Sequence, residues 1–252
     1  MYRHPNCSFV TWLTTFLSIV LCMSTAHASI VIDGTRVIYP AKAAEVTVRL
    51  TNKGKAPRLV QAWIDDGDEK SSPEKIDVPF VILTPIFRMD PDKGHALRVR
   101  YTQSKPVPTD RESVFWLNVL EIPAKPAGDT SDTNYLQFSL RTRIKLFFRP
   151  EGLPGSAAAA PEQLVWQAQP GGLLVKNPSA FNVSLKRVEL GVKGDSGAVE
   201  GIMVAPLSEV VLKPLGANTA TPSNAITYFP VNDYGGTPEL KATALPSHGR
   251  AD

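Results

Sequence analysis

The stretch Tyr135-Leu136-Gln137-Phe138-Ser139-Leu140, continued by Arg141-Thr142-Arg143-Ile144-Lys145-Leu146-Phe147-Phe148, decides the fold class. Apolar and polar residues alternate along it, which is the period of a β-strand, since successive side chains leave the pleat on opposite sides. Leu136, Phe138 and Leu140 therefore share one face, and Ile144, Leu146 and Phe148 continue the same parity. Working upstream, the period recurs in Ile30 to Tyr39, Glu45 to Leu50, Leu59 to Ile64, Phe80 to Leu83, Ala96 to Tyr101 and Val114 to Glu121. Turn-forming runs such as Asn52-Lys53-Gly54-Lys55 and Asp90-Pro91-Asp92-Lys93-Gly94 separate these stretches. Seven short strands within about 120 residues form the pattern of an immunoglobulin-like sandwich.

A second β pattern begins near Leu164. It runs through Leu173-Leu174-Val175, Val183 to Leu190, Ile202-Met203-Val204, Val210-Val211-Leu212, Ile226 to Val231 and Leu240 to Ala244. Between the two patterns lies the loop-like Glu151-Gly152-Leu153-Pro154-Gly155, followed by Ser156 and four alanines. The domain boundary is placed there, with residues 29–152 as one sandwich and residues 153–252 as a second, smaller one. The expected fold is all-β, two immunoglobulin-like domains in tandem.

At the N-terminus, Arg3 and His4 precede an apolar run from Phe9 to Met23 that ends in Ser24-Thr25-Ala26-His27-Ala28. The run is shorter than the roughly 20 residues of a membrane span, and small residues follow it, so residues 1–28 read as a secretory signal peptide cleaved after Ala28. No stable membrane insertion is expected. A lipoprotein reading through Cys22 fails on the bulky Leu21 before it. Cleavage would remove both cysteines, Cys7 and Cys22, so the mature chain forms no disulfide and rests on packing. Taking 28 of the 252 residues away leaves 224, enough for two domains with a core each. Loss of Arg3 leaves 26 basic against 24 acidic residues, a balance that does not recommend nucleic acid as a partner.

Catalytic chemistry is thin. Only His95 and His248 survive cleavage, far apart and with no cysteine, which leaves no His/Cys metal cluster, no Cys-His dyad and no required cofactor. His95, in a turn beside Gly94, and His248, in a polar tail, read as surface residues. Gly235-Gly236 is too short for a phosphate loop. The chain is not expected to be an enzyme.

What remains is a series of local strings. Gly34-Thr35-Arg36-Val37-Ile38-Tyr39 comes first, then Gln61-Ala62-Trp63, then Thr84-Pro85 with Phe87-Arg88. Asp110-Arg111-Glu112-Ser113-Val114-Phe115-Trp116-Leu117-Asn118 with Glu121-Ile122-Pro123 follows, and then Arg143-Ile144-Lys145-Leu146-Phe147-Phe148-Arg149-Pro150. Asn177-Pro178-Ser179, Met203-Val204-Ala205-Pro206 and Asn232-Asp233-Tyr234-Gly235-Gly236 complete the series. In this order, over nearly all the mature chain, the strings resemble the periplasmic pilus (fimbrial) chaperones of the chaperone–usher pathway. Ile86 departs from the pattern, since many members carry a second proline there. The polar segment from Pro123 to Asn134 resembles the short-loop branch of that family.

The resemblance implies a function. A periplasmic chaperone of this kind has a cleft between its domains, binds pilus subunits by lending them a β-strand, and delivers them to an outer-membrane usher. Leu136, Phe138 and Leu140 would be the lent apolar contacts, at the spacing of alternate pockets along an open groove. Read without the resemblance, that face packs on the chain's own core. Arg36 and Lys145 match the two bases that bind the subunit's C-terminal carboxylate. Glu112, Arg149 and Asp233 match an inter-domain salt-bridge network that fixes the domain angle. Self-association of the unloaded chain is a further partner class. The alternative is an immunoglobulin-like secreted adhesin or structural pilus module. It is disfavoured because Ile30-Val31-Ile32 leads almost at once into the first strand, leaving no N-terminal donor extension.

Overall fold

The computed structural model describes residues 29–125, 136–169, 172–190, 198–213 and 224–246. The signal-peptide expectation for residues 1–28, most of the loop assigned to 123–134, Tyr135 and His248 lie outside the described residues.

The first domain contains β1 (Ile30–Ile32), β2 (Arg36–Pro40), β3 (Val46–Asn52), β4 (Arg58–Asp65), β5 (Phe80–Ile82), β6 (Ile86–Met89), β7 (Gly94–Tyr101), β8 (Ser113–Pro123) and β9 (Leu140–Arg149). One sheet has the order β1-β3-β7-β5, the other β2-β9-β8-β4-β6. All neighbours are antiparallel except β2 and β9, which run parallel. Alternation sorts the side chains as the pleat requires. Leu97 and Val99 of β7 point into the core while Arg98 and Arg100 point out, and Ile144, Leu146 and Phe148 of β9 meet them from the other sheet.

Three strands differ from the sequence reading. Ile30 to Tyr39 is not continuous: it breaks at Asp33-Gly34-Thr35, where Gly34 takes φ +112°, a conformation that favours glycine. The break lets the chain leave the sheet of β3 and join the sheet of β9. β6 has only four residues at a sheet edge and follows Pro85, so its alternation is too short to read as a strand. The strand read from Tyr135 onward begins at Leu140.

Phe147 is buried yet belongs to neither core, because its parity points it out of the first sandwich towards the second domain.

The second domain contains a 3-10 turn at Ala160–Gln163 and then β10 (Val165–Gln169), β11 (Gly172–Asn177), β12 (Val183–Leu190), β13 (Ala198–Val204), β14 (Ser208–Leu212), β15 (Ala225–Pro230) and β16 (Leu240–Thr243). Its sheets are β10-β11-β14 and β13-β12-β15-β16, and they close over Trp166, Leu173, Val175, Leu185 and Ile226. Each domain has a buried asparagine bracing a strand end. Asn52 donates to the carbonyls of Ala56 and Met89, and Asn177 to those of Phe181, Val204 and Ala205. These bonds satisfy backbone carbonyls that the turns would otherwise leave unpaired.

Candidate functional site

The feature that organises the site is the uneven cover of β9. On one side β8 pairs with it from Leu140 to Phe148 without a register shift, so β9 has no bulge within that span. On the other side β2 covers only Lys145 to Arg149. From Leu140 to Ile144 that second edge carries no strand among the described residues. Unpaired N–H and C=O groups along such an edge are a template for another chain.

Beside this edge, the three apolar residues singled out in sequence are exposed. Leu136 is 79%, Phe138 74% and Leu140 49% accessible. They share sequence parity with Ile144 and Leu146, but Leu136 and Phe138 precede the start of β9 and none of the three belongs to the chain's own core. Burying three such side chains would recover about 1.5–3 kcal/mol each, a gain the free chain forgoes.

Arg36 and Lys145 meet where the uncovered edge ends. They are partners in the β2–β9 register, so their side chains leave adjacent positions of a parallel pair. Both project into the cleft between the domains, with Ser184, Glu200 and Val231 on the opposite wall. Arg36 Nη1 donates to the carbonyl of Val231 at 2.8 Å, and its guanidinium carbon lies 5.6 Å from the Phe147 ring centroid. Its Nε is buried without a hydrogen-bond partner. Lys145 Nζ donates to Ser184 Oγ at 3.1 Å. Burial, then the charge of Arg36, pushes the Lys145 ammonium down to about 8. Burial also lowers Arg36, against the opposing pull of Asp233 and Glu112. Two half-buried cations held side by side with few acceptors make a site that an anion would complete.

Behind this pair the domains are tied by Arg149. Its Nε donates to Glu112 Oε1 at 2.9 Å, and Nη1 and Nη2 donate to the two carboxylate oxygens of Asp233 at 2.8 and 3.0 Å. Burial works against the charge, but Asp233 and Glu112 outweigh it and raise Arg149 above its ordinary value. Glu112 is almost fully buried, and its other oxygen accepts from the backbone and side chain of Asn182 at 3.0 and 3.1 Å. The three charges noted in sequence thus come together across the domain boundary, with Asn182 as a fourth member that sequence reasoning missed.

A second cluster was also missed. Trp116 of β8 stands opposite Lys145 of β9 and opposite Asp65 of β4. The Arg143 guanidinium lies 4.2 Å from the Trp116 ring centroid and is held by both carboxylate oxygens of Asp65. Asn118 Nδ2 donates to the same carboxylate at 2.6 Å. Burial pushes Asp65 up, but the bonds from Arg143 and Asn118 win and hold it below the usual carboxylate range. The only sequence signal was parity: Trp116, Asn118, Arg143 and Lys145 fall on one face once β8 and β9 pair. His95 also departs from expectation. It lies in β7 rather than in a turn, and its ring stacks on Phe87 at 3.7 Å. Among the described residues there is no group of three His, Cys, Asp or Glu side chains that could hold a metal, and no helix long and apolar enough to cross a membrane.

Two sandwiches, an uncovered strand edge flanked by exposed apolar side chains, and a basic cleft at the edge's end are the features of the site. Residues 29–154 match the pili and flagellar-assembly chaperones, PapD N-terminal domain, and residues 159–242 match the pili assembly chaperone PapD, C-terminal domain. The chain belongs to this family of pilus-assembly chaperones. It is 43% identical to the probable fimbrial chaperone YadV of Escherichia coli over 93% of this chain and 98% of that one. It is likewise 43% identical to the chaperone protein FimB/FhaD of Bordetella pertussis, over 86% and 88%. Among solved structures it resembles the SafB chaperone of Salmonella enterica in complex with the SafA pilin, with a TM-score of 0.72, 29% identity, and 87% of this chain and 98% of that one covered. It is a periplasmic chaperone of pilus assembly.

Proposed function

We propose that the uncovered edge of β9 receives a strand of a pilus subunit, laid parallel to β9 and in line with β2, with the subunit's terminal carboxylate held by Arg36 and Lys145. The observation that carries this reading is where β2 begins. Arg36, its first residue, stands opposite Lys145, and β2 runs parallel to β9 from there. A strand added upstream in the same direction ends with its C-terminus at those two cations. Leu136, Phe138 and Leu140 then fill alternate pockets of a subunit that lacks a strand of its own. The pilin-bound relative SafB supports a subunit as the partner.

The chain is exported by a leader cut after Ala28, the domains divide near residue 152, the Glu112-Arg149-Asp233 bonds fix the angle of the cleft, and the loaded chaperone passes its subunit to an outer-membrane usher. Release is by exchange for a better-packed strand, without a cofactor or catalytic turnover.

The test is a titration with peptides matching a subunit's C-terminal strand, as free acid and as amide. Wild-type protein should prefer the free acid. Arg36→Ala and Lys145→Ala should each weaken it by roughly 2–5 kcal/mol, because a desolvated carboxylate is left half compensated, and should bind the amide little differently from the acid. Equal affinity of the wild type for the two peptides would sink the anchor.

A further inference from the structure

We propose that Trp116 is a positioning residue for the anchor, its indole face holding the Lys145 ammonium in the cleft while an Asp65–Arg143 clamp holds the indole. The inference rests on the reading of Arg36 and Lys145 as a carboxylate anchor, and adds a residue to that site.

Lys145 has a problem of support. Its side chain leaves β9 beside Arg36, a like charge, and among the described residues its hydrogen-bond partner is a single hydroxyl, Ser184 Oγ on the other domain. An ammonium has three protons to donate, so two remain for an incoming carboxylate only if something else keeps the group from folding away from Arg36. Trp116 stands directly across from Lys145 in the β8–β9 register, and Lys145 Nζ lies 5.5 Å from its ring centroid, within the distance at which an aromatic face attracts a cation. This contact attracts the charge without occupying any of its donors, which a carboxylate in the same place would do.

The ring is itself immobilised. Arg143 lies 4.2 Å from the same ring and is fixed by both oxygens of the buried Asp65, which Asn118 and the backbone N–H of Gly67 also hold. Asp65 neutralises Arg143, so the clamp adds little repulsion at Lys145. The other charged groups around Lys145 are Arg36 on β2, and Lys186 on β12 and Glu200 on β13 across the cleft, with Glu112 and Asp233 acting on Arg36 from behind. On β8 and β4 the Asp65 charge is taken up by Arg143, and the indole of Trp116 makes the contact with the Lys145 ammonium.

The test uses the whole chaperone and the same acid and amide peptides. Trp116→Phe, which keeps an aromatic face, should bind the free acid within about twofold of wild type, whereas Trp116→Leu should lose roughly three- to tenfold. The amide should bind both variants as it binds the wild type. Replacing Trp116 alone by a ring-fluorinated tryptophan keeps the shape and drains the face, so it remains informative if the leucine variant does not fold. With it, the ε-carbon resonance of Lys145 in the free protein should titrate at lower pH than in wild type, and the acid-to-amide preference should narrow. If the fluorinated protein keeps the wild-type titration and preference, or Trp116→Leu weakens acid and amide alike, the inference is overturned while the anchor stands. If the wild type itself fails to tell acid from amide, the anchor falls and this inference falls with it.

Discussion

Lys145 is a half-buried base whose charge the fold disfavours. Its ammonium is pushed down to about 8 by burial and then by Arg36, so the folded chain binds a proton there less readily than the unfolded chain does. For a base lowered in this way the unfolded state holds more protons between about 8 and the ordinary lysine value, and stability rises with pH across that window. Lys145→Met should therefore melt higher than wild type at pH 7, with the difference shrinking towards pH 10, as thermal unfolding at the two pH values would show. With a client carboxylate held by Lys145 as proposed, binding should have the opposite slope. A carboxylate in the cleft raises Lys145 again, so above about pH 8 each binding event takes up a proton and affinity for the free-acid peptide falls. Calorimetry between pH 7 and 9.5 in buffers of different ionisation enthalpy would measure that uptake. A flat affinity over this range would mean that the ammonium is not part of the contact.

At the scale of the element, β9 is one strand with two environments. From Lys145 onward it is paired on both edges, by β8 and by β2, whereas from Leu140 to Ile144 it is paired by β8 alone, and the side chains of Leu136, Phe138 and Leu140 lie outside the core. Changing Leu136, Phe138 and Leu140 together to Ser should shift the melting midpoint by little, since exposed substitutions away from special features usually cost within about 0.5 kcal/mol each. The same variant should no longer protect a subunit from aggregation, because it removes the three exposed apolar side chains that the proposed strand exchange would bury. A melt that loses cooperativity would place these residues in the chain's own core. Alternation made most strands legible, because burial on one face writes itself into every second residue. It did not reveal where a strand changes sheets: Ile30 to Tyr39 reads as one stretch, yet it breaks at Asp33-Gly34-Thr35, where Gly34 takes a positive φ, and its two parts pair with different sheets. Nor did it reveal the Asp65-Arg143-Trp116 cluster, whose members are brought together by register between strands distant in sequence. The Glu112, Arg149 and Asp233 positions were legible through family resemblance, whereas their fourth member, Asn182, carries no charge to mark it.

Across the whole molecule, ion pairs and close packing join the two sandwiches. Arg149 spans them, and its removal would strand the buried Glu112 carboxylate without a cation. Arg149→Ala should lower stability by about 3–5 kcal/mol, whereas Glu112→Gln with Arg149→Met should cost less, because no charge is then left unpaired. Denaturant melts of the two variants compare these costs, and small-angle scattering would report whether the angle widens. The turn at Gly235 makes a second tie. It takes φ +86°, and a Cβ there would stand 2.7 Å from Thr35 Oγ1 of the first domain. Gly235→Ala should cost about 1 kcal/mol or more, and a Thr35→Gly background should return the part due to collision but not the part due to the backbone. One tie lies at the start of the described chain. Ser29 Oγ and the N–H of Ile30 both donate to Glu121 Oε2, at 2.6 and 2.9 Å, on the strand next to β9. A leader cut after Ala28 would leave the new α-ammonium on Ser29, next to that carboxylate. Processing would then add an ion pair to the fold as well as removing a tag, and the precursor and its product would differ in stability although every residue from 29 onward is the same.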